Sequence, residues 1–76
     1  MITVRLYGLL RLDSGVKERC MEAADMKEVF RDLAALGISP KELRGCVILV
    51  NGKSADRRTK LHDGDVVQLL PPVAGG

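Results

Sequence analysis

The residues of this chain with the clearest chemical potential stand at its C-terminal end. Residues 71–76 read Pro-Pro-Val-Ala-Gly-Gly, with no charged or bulky side chain among them. Glycine has no Cβ, so the wall of a channel can approach the backbone of Gly75 and Gly76 closely. Such an end can enter a narrow channel and present its α-carboxylate to a reagent there. We therefore predict that the reactive group is the carboxylate of Gly76. The alternative is an ordinary frayed terminus.

Two prolines separate this end from the rest of the chain. Proline has no backbone N–H to donate, so the pair cannot continue a central strand and should lift the following residues away from the domain. Six extended residues reach roughly 20 Å, which is enough to bring a carboxylate into a pocket while the body docks outside. We expect residues 1–70 to form the folded domain and residues 71–76 a flexible tail. The residues that would thread into the channel ahead of Gly76 are Pro71, Pro72, Val73, Ala74 and Gly75.

The rest of the sequence offers no set of side chains for catalysis or metal binding. His62 is the only histidine, and Cys20 and Cys46 are separated without a Cys-x-x-Cys motif. We interpret both cysteines as buried thiols of a reducing compartment. No serine or cysteine stands beside a predicted base, which disfavours a stand-alone enzyme. We expect no bound cofactor and no metal.

Length, composition and charge restrict the class of protein. A chain of 76 residues fits one domain, and 46% hydrophobic with 29% charged residues is typical of a folded soluble protein. Tyr7 and Phe30 are the only aromatic residues, which argues against a surface that stacks nucleic-acid bases. The sequence shows no signal peptide and no apolar run of membrane-spanning length. We expect a cytoplasmic protein that binds neither nucleic acid nor membrane.

The first quarter of the chain predicts two strands joined by a loop. Residues 2–7 alternate apolar and polar side chains, the period of a half-buried strand. The turn signal Asp13-Ser14-Gly15 predicts that residues 8–15 form a loop. Residues 16–22 are polar enough for a strand at the edge of a sheet.

The middle of the chain predicts one long and one short helix. Asp25 opens the long helix, with Glu28 three residues later as in a capping box. Gly37 ends it in the usual position just beyond the last turn. Residues 39–45 repeat the start signal on a small scale, with Ser as the cap and Pro at the first helical position. The apolar stripe of the long helix consists of Met26, Val29, Phe30, Leu33 and Ala34.

The C-terminal half predicts three further strands. Residues 46–50 are followed by Asn51-Gly52, a strong hairpin signal, and by a brief return strand at residues 53–55. Residues 66–70 are apolar at four of five positions, which suits a central strand. A parallel first and last strand would make the long helix a right-handed crossover. The order predicts an α+β fold of the β-grasp, ubiquitin-like type, a mixed sheet of four to five strands with one main helix packed on one face.

The same pattern predicts where a partner would dock. Gln68 should face solvent, so Leu70 shares its side of the sheet. If the first and last strands are parallel, Tyr7 and Leu70 emerge together, next to the tail. We predict that Tyr7, Leu70 and Leu49 form a partner interface. The alternative is that they are ordinary apolar residues on an open sheet face.

The C-terminal third of the sequence resembles a known family. The run Leu61-His62-Asp63-Gly64-Asp65-Val66-Val67, the strand after it and the Pro-Pro-Val-Ala-Gly-Gly end are similar to the signature of the MoaD/ThiS sulfur carriers. The similarity is strongest to the MoaD branch. The first strand, residues 2–7, and the hairpin at residues 50–52 also fit, so the resemblance covers the whole chain.

The resemblance implies delivery of sulfur rather than catalysis. It implies that an ATP-using, ubiquitin-activating-like partner adenylates Gly76, and that sulfur then displaces AMP to leave a C-terminal thiocarboxylate. It further implies that the chain is the small subunit of molybdopterin synthase and passes sulfur to a pterin precursor in the large subunit. Tyr7 stands at a position that the family uses for partner contact.

Other functions remain open on the sequence. The sulfur could serve thiamine or tungsten-cofactor synthesis instead. The same activated carboxylate could join Gly76 to lysines of other proteins, as in a ubiquitin-like modifier. A non-covalent binding module that never uses its terminus is the remaining alternative.

Overall fold

The structure, a computed structural model, describes residues 1–72. Five strands and three helices follow one another in this part of the chain. They are β1 (Ile2–Leu6), α1 (Gly8–Ser14), β2 (Glu18–Met21), α2 (Met26–Ala35), α3 (Pro40–Gly45), β3 (Val47–Val50), β4 (Lys53–Ala55) and β5 (Val66–Leu70).

The five strands form one mixed sheet in the order β2-β1-β5-β3-β4. The parallel pair is β1 with β5, in a register that aligns Leu6 with Leu69. Strands β2, β3 and β4 run antiparallel to their neighbours. The central position of β5 and the edge position of β2 are both as predicted. This is the β-grasp arrangement expected from the sequence.

Helix α2 begins with the predicted cap in a slightly altered form. The carboxylate of Asp25 accepts a hydrogen bond from the backbone N–H of Glu28 at 3.1 Å. The Glu28 carboxylate reaches back to the N–H of Ala24, at 2.7 Å, one residue beyond the usual partner. At the other end Gly37 has φ +99°, the left-handed conformation that glycine adopts without strain. Both ends of α2 were therefore encoded locally.

One hydrophobic core lies between the sheet and the helices. Its thirteen buried side chains are Ile2, Val4, Leu6, Leu10, Met26, Val29, Leu33, Ile38, Leu43, Ile48, Leu61, Val67 and Leu69. The predicted apolar stripe of α2 needs one correction, because Ala34 is exposed and Phe30 only half-buried. The buried line runs through positions 26, 29 and 33, and Ala34 lies a further 100° around the helix from the last of these.

The predicted loop over residues 8–15 is wrong, since most of it forms helix α1. Leu10 packs into the core and is only 2% exposed. Gly15 ends the helix with φ +71°, and its N–H donates to the carbonyl of Arg11 at 2.9 Å. The turn signal was real, but it marks the end of a helix. Because a seven-residue helix is marginal in isolation, core burial of Leu10 decides the outcome.

The prediction of two buried thiols is also wrong. Cys20 is exposed, because it lies on edge strand β2 opposite Thr3, on the side of the sheet away from the core. Cys46 is half-buried, and its thiol donates to the carbonyl of Leu43 at 3.1 Å. Burial raises the pKa of the Cys46 thiol. No helix within residues 1–72 has the length and hydropathy to cross a membrane.

Candidate docking surface and tail exit

The parallel pairing of β1 with β5 brings Tyr7 to the place where the chain leaves the sheet. The N–H of Tyr7 donates to the carbonyl of Leu69 at 3.2 Å, one residue beyond the end of β1. Leu70 is the last residue of β5, and Pro71 follows it directly. Tyr7 and Leu70 therefore lie at the same end of the sheet, as the sequence predicted.

The open face of the sheet gathers the predicted interface residues around Gln68. The side-chain amide of Gln68 donates to the hydroxyl oxygen of Tyr7 at 3.0 Å. The register places Leu49 beside Gln68 and Val47 beside Leu70. Tyr7, Leu49 and Leu70 are half-buried, and Val47 is 39% exposed. We call Tyr7, Val47, Leu49 and Leu70 the sheet patch. Its fourth member was missed, although it stands two residues before Leu49, the spacing of one strand face.

The tail begins in close contact with the body of the protein. Pro71 lies against Gly8, the first residue of α1: a Cβ placed on Gly8 would stand 2.6 Å from Cγ of Pro71. Pro72 is exposed, with its Cγ 4.0 Å from the corresponding position at Gly45. We call Pro71 and Pro72 the tail root. It passes between the start of α1 and the end of α3.

An apolar groove of about 380 Å³ adjoins the tail root. Its lining consists of Leu9, Leu10, Lys41, Glu42, Gly45, Pro71 and Pro72. Leu9 is 58% exposed and Leu12, one turn later on α1, is 75% exposed. The sequence analysis missed this groove because it predicted a loop for residues 8–15. The spacing of Leu9 and Leu12 indicates a shared exposed face only if the segment is a helix.

Two acidic side chains meet beside this groove. Oε2 of Glu42 is enclosed and has no hydrogen-bond donor among the described residues. The neighbouring carboxyl of Asp13 on α1, together with burial, raises the pKa of Glu42 on α3.

The opposite end of the sheet is held by polar side chains rather than by a reactive site. The Asp65 carboxylate accepts from the backbone N–H of His62 at 2.8 Å and from the amide of Asn51 at 2.9 Å. These two donors lower the pKa of Asp65, the backbone donor more strongly. The Asn51 side chain also accepts from the N–H of Val66 at 3.0 Å. The interactions lock the β3–β4 turn onto the start of β5.

The described residues contain no cluster of the kind that binds a metal ion. Within residues 1–72, no three His, Cys, Asp or Glu side chains are grouped to hold a metal ion. His62 is strongly exposed and lies at the far end of the sheet from the tail root. The predictions for Val73, Ala74, Gly75 and Gly76 lie outside the described residues. The structure describes the point where the tail leaves the domain, at Pro71 and Pro72, and the surfaces next to that point.

Comparisons with known proteins agree on one family. A family model described as the ThiS family matches residues 4–76. A structure of the complex of subunits 1 and 2 of molybdopterin-converting factor from Helicobacter pylori is similar at 34% identity and TM-score 0.75, over 99% of this chain and 97% of that chain. The solution structure of small archaeal modifier protein 1 from Methanosarcina acetivorans is similar at 26% identity and TM-score 0.77, over 99% of this chain and 95% of that chain.

A third similar structure shares the fold at lower identity. The BexX/CysO complex of Amycolatopsis orientalis is similar at 23% identity and TM-score 0.76, over the full length of both chains. No curated protein matches the sequence. The fold is therefore that of the ubiquitin-like sulfur carriers, and two of these three structures are of complexes with a partner protein.

Proposed function

This chain belongs to the ThiS family, and from that premise we propose that it is a sulfur carrier whose C-terminal Gly76 becomes a thiocarboxylate. We assign it to molybdopterin synthesis, as the small subunit of a molybdopterin synthase. The similarity to the molybdopterin-converting factor structure of H. pylori supports this assignment. The partners required are an adenylating enzyme and a large subunit that accepts the sulfur.

The proposed chemistry activates a group that is otherwise inert. The carboxylate of Gly76 attacks the α-phosphate of ATP, which leaves an acyl-adenylate and releases pyrophosphate. A persulfide of a donor protein then displaces AMP and forms an acyl disulfide. A thiol reduces that disulfide, so the terminal sulfur remains on Gly76 as the thiocarboxylate. Each step uses catalytic groups of a partner, and the chain supplies the carboxylate and a means of presenting it.

The observation that carries the proposal is the position of the tail root beside the sheet patch. A protein that bound the sheet patch would meet the chain where Pro71 leaves β5, next to Leu70. Four extended residues beyond Pro72 reach roughly 13 Å, so a docked partner could receive Gly76 in an enclosed pocket. Burying the sheet patch also excludes water from the contact that positions the tail.

The proposal is tested by reconstitution with the activating enzyme encoded in the same genome. The full chain is incubated with that enzyme, ATP, a persulfide donor and a thiol, and its intact mass is measured. Replacement of oxygen by sulfur adds about 16 Da, and omission of ATP should abolish the change. If the mass stays unchanged although the same enzyme preparation is active on another carrier protein, the proposal is refuted.

A protein modifier is a second candidate, favoured by the similarity to small archaeal modifier protein 1 of M. acetivorans. Activation of Gly76 would be the same, but lysine amines of other proteins would take the place of sulfur. An immunoblot against the chain should then show higher-mass conjugates in cells. Their loss on deletion of Gly75 and Gly76 would support modification. A single unconjugated band would exclude modification, and the sulfur carrier would remain as the proposed function.

A further inference from the structure

A second hollow shares no lining residue with the apolar groove. It has a volume of about 400 Å³ and is lined by Arg5, Leu6, Tyr7, Arg11, Lys17 and Glu18. We call it the basic hollow. Three different elements supply its cations: Arg5 comes from β1, Arg11 from α1 and Lys17 from the segment before β2. The hollow thus forms only when the chain folds, and no run of basic residues in the sequence predicts it.

The basic hollow carries a local excess of positive charge. Three cations and one anion line it, which gives its lining a formal charge of +2. A local excess of this kind attracts anions.

Most of that positive charge has no anionic partner among the described residues. Nε of Arg5 donates to Glu18 at 2.9 Å, and this hydrogen bond raises the pKa of Arg5. Across residues 1–72, Arg11 and Lys17 form no ion pair. Arg19 makes the contrast clear, because both of its contacts to Asp32 are short, at 2.6 and 3.1 Å.

Stability accounts for only part of this arrangement. Arg11 lies in the last turn of α1, where a cation interacts favourably with the helix dipole. Lys17 lies beyond the helix and gains nothing comparable. Its backbone carbonyl accepts from the N–H of Leu6 at 3.0 Å, which fixes the position of Lys17 beside β1 and leaves the ammonium unused. Within residues 1–72 neither cation has an anionic partner, so this concavity can accept an external anion.

Tyr7 joins the basic hollow to the sheet patch. Its hydroxyl oxygen accepts from Gln68, so the hydroxyl proton is free to bond an incoming acceptor. The neighbouring sheet patch is apolar and can be desolvated, whereas the hollow supplies charge at its border. An apolar centre with a charged border is the usual anatomy of a protein–protein interface.

We propose that the basic hollow binds an Asp or Glu carboxylate of the activating enzyme while that enzyme holds the tail. The identity of that protein rests on the proposed function, whereas the preference for a carboxylate rests on the hollow alone. The carboxylate would contact Arg11, Lys17 and the Tyr7 hydroxyl while the apolar side chains of the same partner cover the sheet patch. Attraction between the charges would speed encounter and fix the orientation in which Gly76 enters its pocket.

The first experiment needs no partner and is therefore independent of the proposed function. The ¹⁵N-labelled full chain is titrated at low salt with a hexaglutamate peptide. We expect chemical-shift changes at Tyr7, Arg11 and Lys17, which disappear in the doubly reversed variant Arg11→Glu/Lys17→Glu. The matched control is Lys27→Glu, an exposed cation of α2 outside the hollow, which should retain them. Shifts spread over all exposed cations, or no shifts, would overturn the proposal.

Inorganic phosphate is titrated in parallel, because it carries the same sign of charge. Stronger binding of phosphate at the same residues would assign the hollow to a phosphorylated ligand and overturn the carboxylate assignment. Both variants replace exposed side chains. The neutral pair Arg11→Gln/Lys17→Gln should weaken the peptide shifts less than the reversed pair does, so a graded loss distinguishes charge from misfolding.

The second experiment measures loading of Gly76 by the activating enzyme. Charge reversal at both positions, in Arg11→Glu/Lys17→Glu, should raise KM for the carrier at least about tenfold at low salt, with kcat unchanged. The effect should shrink to less than about threefold near 0.5 M salt, where the Debye length falls below 5 Å. Unchanged KM with normal loading would overturn the inference and leave the proposed function intact. Failure of the wild-type chain to load would instead refute the proposed function. The peptide titration would then still show whether the basic hollow binds carboxylates.

Discussion

Gly8 and Pro71 approach so closely that no other residue fits at position 8 without moving the tail root. A Cβ on Gly8 would stand 2.6 Å from Cγ of Pro71, and φ at Gly8 is +59°, which side chains also disfavour. The contact joins the start of α1 to the point where the chain leaves β5. It fixes the position of Pro71 directly after the sheet.

Gly8→Ala should therefore impair delivery beyond its effect on stability. We expect a loss of about 1–2 kcal/mol in the free energy of unfolding, from the positive φ and the steric overlap, and slower formation of the thiocarboxylate. The control is Gly15→Ala at the other end of α1, where φ is +71° and nothing lies within 4 Å of the new Cβ. Urea unfolding and a loading assay are compared for both variants. Equal loading defects in the two variants would contradict a directing role for the Gly8–Pro71 contact.

Leu70→Ser should weaken partner binding strongly while leaving the fold intact. Leu70 is half-buried at the centre of the sheet patch, so a partner that covers it gains a desolvated anchor. We expect Kd for the large subunit to rise roughly tenfold or more, as truncation of an anchor costs about 1.4 kcal/mol or more. Calorimetry with purified proteins gives the value. Leu12→Ser, at a 75% exposed position outside the sheet patch, serves as the control and should bind normally.

Asp65→Asn should reduce the stability of the fold at neutral pH and make that stability less dependent on pH in the acid range. The pKa of Asp65 is lowered in the folded state, so its ionised form contributes stability above the pKa of the unfolded chain. That contribution is lost as pH falls through the lower folded pKa. Thermal unfolding should show the wild-type protein more stable at pH 7 and the two proteins converging below about pH 4. Parallel curves for the two proteins over this range would show that Asp65 does not act through its charge.

Glu42→Gln should have the opposite effect. The neighbouring Asp13 carboxyl and burial raise the pKa of Glu42, so folding favours the protonated carboxyl over the charged one. Stability from this group is full below the unfolded pKa and declines as pH rises through the folded value. The variant imitates the protonated form and should be more stable than the wild type at pH 7, with the difference vanishing near pH 4. A less stable variant at pH 7 would indicate that the carboxylate has a partner outside the described residues.

The sequence predicted those features that depend on local signals. Asp25 with Glu28 marked the start of α2, Asn51-Gly52 marked the β3–β4 turn, and the apolar run of β5 indicated its central place. The alternation along β1 and β5 assigned their faces, and the prediction that Tyr7 and Leu70 lie at one end also required the parallel pairing that the structure shows. Each of these signals lies within a few residues of the feature that it encodes.

The features that sequence reasoning missed depend on distant contacts. Helix α1 is stabilised by Leu10 in a core supplied mainly by other elements, so its own seven residues did not reveal it. Cys20 was expected to be buried because of its residue type, although its strand lies at the edge of the sheet. The basic hollow requires β1, α1 and the segment before β2 to meet. The Gly8–Pro71 contact joins residues more than sixty positions apart in the sequence.

The role of Gly76 as the sulfur acceptor can be tested by locating the sulfur after reconstitution. Fragmentation of the intact protein in a mass spectrometer should place a gain of about 16 Da on Gly76, and deletion of Gly75 and Gly76 should abolish it. A gain of about 32 Da on Cys20 or Cys46 instead, with Gly76 unchanged, would mean that a thiol accepts the sulfur as a persulfide. That result would exclude Gly76 as the sulfur acceptor.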